Sequence, residues 1–251
     1  MKTVSSVSIT EAISNGKKEM VALKAKHPFE TQIRKSNLQR VFSNYLAMSQ
    51  AFPYLQAGSQ KELIMDCIMK NKDVPVEIEI TSVVGNFLCW DETGGHFVVG
   101  REGNAGLSKI LDVEKYYHSH LLKTDIKYLM NHEINPDYSL VTQAYLKKLY
   151  EGLSSKNHVN RCACMVAFEQ HAGVMIQSLW DSLTKLFDIP KERLIYFAVH
   201  VGGDDPAEIY HEEMTHQMIQ KIVSPDQVND WLIYFEGWYE KNLQWCDDIC
   251  S

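Results

Sequence analysis

From Cys162 to Phe187 the chain reads "CACMVAFEQHAGVMIQSLWDSLTKLF", a proline-free stretch in which apolar side chains recur every three or four positions. That spacing predicts one long helix. A helix of this length has to bury its apolar stripe against other helices or against a sheet. The rest of the chain offers mainly helices. In "FETQIRKSNLQRVFSNYLAMSQAF", Phe29, Ile33, Leu38, Val41, Phe42, Tyr45 and Leu46 keep nearly the same period, broken around Ser36-Asn37, so the segment reads as helix, turn, helix. "LVTQAYLKKLYEG" continues the pattern and predicts a helix stop at Gly152, a residue suited to the left-handed conformation. Ser224-Pro225 suits the start of a last helix, whose Trp231, Phe235, Trp238 and Trp245 form a core-facing aromatic stripe. Only "PVEIEITSVV" alternates as a strand does, and one strand makes no sheet. The expected class is all-α, a bundle of seven or more helices.

With 251 residues, 45% of them hydrophobic and 23% charged, the chain can bury a full core. One domain over residues 1–251 is expected, with residues 1–24 as an N-terminal extension or first helix. No apolar run approaches the length of a membrane span, and the first twenty residues lack the apolar block of a secretory signal, so a cytoplasmic location is expected. The six cysteines contain no CxxC pair and read mostly as buried thiols. Against 32 acidic residues stand 25 basic ones, a net charge of −7 with no basic face, which argues against nucleic acid as a partner.

The chemistry-bearing residues concentrate in "YFAVHVGGDDPAEIYHEEMTHQMI". Wound as one helix at about 100° per residue, it sets His200, Asp204, Glu208 and His211 on one face. Histidines and carboxylates without a thiolate suit non-haem iron or manganese better than structural zinc. Gly202-Gly203 and Asp204-Asp205-Pro206 equally suit the end of one helix and the start of another. A second cluster, "NFLCWDETGGHFVVG", carries Asp91, Glu92 and His96, with Glu92 and His96 at a spacing that lets two side chains on a helix grip one ion. Glu169 sits among Val166, Phe168, Val174 and Ile176 and is expected to be buried or half-buried, a costly place for a carboxylate without a cation or hydrogen bonds. His118 and His120 in "YYHSH" read as surface histidines.

"HPFETQI", "NYLAMSQAFPYLQAGS", and the succession "WDETGG", "FEQHAG" and "YFAVHVGGD" resemble the haem-oxygenase-like, CADD-like family, which includes the TenA and PqqC proteins and the haem-oxygenase-like diiron oxidases. The resemblance is distant and runs from about residue 25 to 240. It implies an O₂-dependent oxygenase or oxidase with two irons, or manganese and iron, acting on a small amine, amino acid or fatty acid, and a homodimer. It matches Glu92 and Glu169 to the two family glutamates, Glu169 as the bridging and catalytic ligand, and His200 and Asp204 to the start of the third ligand set. Ala207 stands where the family has its last histidine, so His211 or Glu208 has to serve. Val99 and Glu102 stand where the first-helix histidine is expected, which leaves His96 as the nearest imidazole. Glu30 replaces the tyrosine that some members consume as a substrate. The other functions the resemblance carries are a metal-free TenA- or PqqC-like enzyme and a CADD-like module that binds a small molecule or a protein.

Overall fold

The computed structural model describes residues 11, 13–16, 18, 26–202 and 208–251, without the side chains of Glu208, Ile209 and Glu212. The described residues form helices and no strand. We number the helices α1 (Pro28–Gln32), α2 (Leu38–Gly58), α3 (Lys61–Met69), α4 (Val76–Glu92), α5 (Gly95–Glu102), α6 (Val113–Tyr116) and α7 (His118–Met130). They continue as α8 (Leu140–Leu153), α9 (His158–Phe187), α10 (Ile195–Val201), α11 (Glu208–Ile222) and α12 (Val228–Cys250). None is long and apolar enough to cross a membrane among the described residues.

The long helix expected from the apolar period is α9. Its start is set by Asn157, whose side-chain oxygen accepts from the backbone N–H of Val159 and Asn160, and its end by Asp188 at φ 53°. At about 1.5 Å per residue its 30 residues span about 45 Å. It packs along α12, where Trp231, Phe235 and Trp245 are buried, and also touches α8, α10, α11 and α1. The stretch expected to be a strand is the start of α4. Ile78, Thr81, Val84, Gly85, Leu88 and Asp91 are its buried residues, a helical spacing, and Glu77 and Glu79 favour the positive end of the helix dipole. The short-range alternation of "VEIEI" was the weaker signal.

Gly152 does not stop α8. The helix continues to Leu153, and a Cβ on Gly152 would lie 2.5 Å from Trp238 and 2.6 Å from the Cys164 sulfur, so the glycine is a contact point between helices. Gly85 does the same for α2 and α4: a Cβ there would meet the Gln56 carbonyl oxygen at 2.3 Å. Close approach at this point brings the end of α4, with Asp91 and Glu92, down beside α2. Pro53 lies inside α2 and removes the bond that the Ser49 carbonyl would accept; both residues line the central cavity.

Candidate metal centre

The segment with His200 and His211 is not one continuous helix. α10 ends at Val201 with Gly202 as its cap, and α11 begins at Glu208. Residues 203–207, and Asp204 with them, lie outside the described residues, as does the Glu208 side chain. The two histidines nevertheless line the same cavity, of about 340 Å³, together with Glu92 and Glu169. Met48, Phe52, Val166, Phe168, Met175 and Ile176 form its apolar wall.

Three ligand-type side chains converge at one end. Glu92 ends α4, His118 opens α7, and His200 lies in the last turn of α10. His118 Nδ1 is 3.2 Å from His200 Nε2 and 3.3 Å from a Glu92 oxygen, and His200 Nε2 is 3.5 Å from the other Glu92 oxygen. One atom from each lies within 4.8 Å of the others. His118 is thus no surface residue: it is 2% exposed, while His120 is half-buried. Its register explains this, because the buried face of α7 runs His118, Leu122, Asp125, Ile126 and Leu129. Stepping that apolar stripe back one turn from Leu122 would have found it.

The tautomers are set by the surroundings. His200 Nδ1 lies 2.8 Å from the Tyr196 carbonyl, which can only accept, so Nδ1 carries a proton and Nε2 is the nitrogen left facing Glu92 and His118. The 3.2 Å contact between His118 Nδ1 and His200 Nε2 is a hydrogen bond when one of the two nitrogens carries a proton, and an ion would need both lone pairs. Burial raises the Glu92 carboxyl, but His118 and His200 more than offset it and hold it well below the usual carboxylate range. Asp125 on α7 accepts from the backbone N–H of Ile195 and Tyr196 at 2.9 and 2.8 Å, capping the short helix that carries His200.

A second group lies around Asp91. His211 Nε2 meets Asp91 at 2.7 Å, and His96 Nδ1 meets the other Asp91 oxygen at 3.0 Å. His96 therefore pairs with Asp91 and shares no helix with Glu92. Gly94, at φ 79°, separates α4 from α5. Burial is the largest single influence and raises the Asp91 carboxyl, but His211 and His118 together leave it below its ordinary value. His211 Nδ1 lies 3.5 Å from Glu169 Oε2, and Glu169 Oε1 accepts from the Gln56 amide at 2.6 Å. Glu169 is half-buried, as expected, and its carboxylate is placed with His211, not within the Glu92–His118–His200 group.

His27, His171 and Cys246 also bring ligand atoms within 4.8 Å, all buried. The His27 Nδ1 accepts from the Phe29 N–H as the cap of α1, which leaves the proton on Nε2, 3.2 Å from His171 Nε2. That imidazole already donates where an ion would need its lone pair. His27 and His171 form a hydrogen-bonded tie between the cap of α1 and α9, with the Cys246 sulfur of α12 within 4.8 Å.

A CADD-like protein of unknown function from Nostoc punctiforme has a similar solved structure, with a TM-score of 0.67, 13% identity, and coverage of 95% of this chain and 96% of that one. The chain has the haem-oxygenase-like, CADD-like fold. No family model matches the sequence, and no curated protein matches it.

Proposed function

We propose that the chain is an O₂-dependent, non-haem oxidoreductase with two irons, or manganese and iron, acting on a small amine, amino acid or fatty-acid-type molecule in the cytoplasm. The observation that carries this reading is the convergence of Glu92, His118 and His200 at the end of the cavity. Two imidazoles and one carboxylate form a donor set that suits non-haem Fe(II). Glu169 Oε2 and His211 Nδ1 would hold the second ion, with Asp204 and Glu208 as further ligands. When bound, the metal pair supplies the binding and reduction of O₂.

The chain's own residues prepare that chemistry. The Tyr196 carbonyl fixes the His200 tautomer, and Asp91 does the equivalent for His211 by meeting Nε2 and leaving Nδ1 toward Glu169. The apolar wall of Phe52, Phe168 and Met175 would receive the apolar part of a substrate beside the ions. A thiol-based, metal-free reading has less support. No cysteine is among the described lining residues, and burial pushes the Cys164 thiol far up. A binding-only role shares the fold and differs in metal content.

Anaerobic Fe(II) titration followed by mixing with O₂ tests the reading. Binding of two ions and an O₂-dependent absorbance change, both lost in Glu92→Ala and His200→Ala, is the expected result. A wild-type protein that binds no iron sinks it.

A further inference from the structure

Gln56 lies near the end of α2 and is fully buried, with 0% of its surface exposed. Its amide nitrogen donates to Glu169 Oε1 at 2.6 Å, while its own Oε1 is buried without a hydrogen-bond partner. The amide cannot relieve that orphan by flipping, because two acceptor oxygens would then face each other at the same short distance. A buried acceptor left unmet is costly, and it is tolerated here to secure a hydrogen bond to a carboxylate.

The bond has a geometric consequence for the cavity. With one lone pair of Oε1 taken by Gln56, Oε2 is the less encumbered Glu169 oxygen, and it faces His211 Nδ1 at 3.5 Å. The other side of His211 is held by Asp91 at 2.7 Å. Gln56 also meets α4 directly, since its backbone carbonyl packs against Gly85. One residue of α2 thus fixes the carboxylate on α9 and abuts the helix that ends in Asp91 and Glu92.

We propose that Gln56 is a positioning residue for metal binding: it engages one oxygen of Glu169 and aims the other at the ion shared with His211. The proposal rests on the dimetal reading, and the experiment separates the two. Co(II) is titrated anaerobically into wild type, Gln56→Met and Gln56→Asn, following the visible Co(II) bands. Gln56→Met keeps the volume without the donor; Gln56→Asn keeps the amide and draws it out of reach. Gln60→Leu is the control, since Gln60 is equally buried, also has an unpartnered Oε1, and bonds Ser59 and Leu153, not a ligand.

In both Gln56 variants one Co(II) is expected to bind about 10- to 100-fold more weakly with altered bands, the other ion being unchanged. Gln60→Leu is expected to match wild type. Two ions bound by Gln56→Met with wild-type affinity and spectrum would overturn the positioning role and leave the dimetal reading standing. An equal loss in Gln60→Leu would overturn it too, by assigning the effect to packing. A wild-type protein that takes up no Co(II) would overturn both together.

Discussion

His118 Nδ1 and His200 Nε2 lie 3.2 Å apart in the core although the residues are 82 positions apart in sequence. Such a contact between two imidazole nitrogens is a hydrogen bond without an ion and a pair of ligands with one. His118→Ala is therefore expected to weaken Fe(II) binding by at least about 10-fold, beyond the effect of removing a residue that only supports a ligand. His120→Ala should leave it unchanged. Parallel anaerobic titrations would decide, and equal affinities in wild type and His118→Ala would remove His118 from the site.

Gly173 lies on the cavity wall, and a Cβ there would meet nothing within 4 Å. Gly173→Ala should stabilise α9 by up to about 1 kcal/mol, since glycine inside a helix costs about that much relative to alanine. Gly173→Phe should narrow the cavity at its exposed rim, weakening small-molecule binding while Fe(II) binding persists. Calorimetry of both variants gives the comparison.

Gly152→Ala has the opposite expectation. Its Cβ would overlap Trp238 and Cys164, and overpacking of this kind costs about 1–3 kcal/mol. A urea midpoint equal to that of wild type would mean that α8 and α12 can move apart without cost.

Burial pushes the His27 imidazole down to about 4, and burial together with His27 holds His171 well below the ordinary value. The unfolded chain binds these protons more readily, so stability is full above about pH 6.5 and is lost as pH falls toward 4. For His27 the loss should be on the order of 3 kcal/mol as pH falls to 4, and His171 adds to it in the same direction. His27→Asn keeps a side-chain cap on α1 and removes one titrating group, so urea unfolding at pH 7 and pH 4.5 should show a smaller pH difference in the variant.

Asp125 has the reverse sign. Burial raises its carboxyl to about 7 against the two backbone bonds from Ile195 and Tyr196 that lower it. The folded state holds this proton more tightly than the unfolded one, so the contribution is present below about pH 4 and lost as pH rises through about 7. Replacing Asp125 with Asn should flatten that part of the stability curve, measured by urea unfolding between pH 5 and 8.

The helices of the bundle were legible because their signal is local. The period of Leu38 to Leu46, of Cys162 to Phe187 and of Trp231 to Trp245 repeats within a few turns, and the structure builds α2, α9 and α12 from these segments. "PVEIEITSVV" misled because five residues of alternation fit a strand as well as the first turns of a helix, and only the longer span to Asp91 distinguishes them. Glu92, Glu169, His200 and His211 stood out by residue type, and all four line the cavity.

By itself the sequence determined the class of fold, many of the residues that turn inward, and Glu92, Glu169, His200 and His211 as ligand-type side chains. Only the tertiary structure decided which of them meet. His118 read as a surface residue, and even the correct register of each helix does not say that α7 crosses α10 at His118, that Asp91 rather than Glu92 takes both His96 and His211, or that Gln56 reaches Glu169. Those pairings depend on how far each helix slides along its neighbours. That is set by close contacts such as Gly85 on Gln56 and Gly152 on Trp238, between residues far apart in the chain.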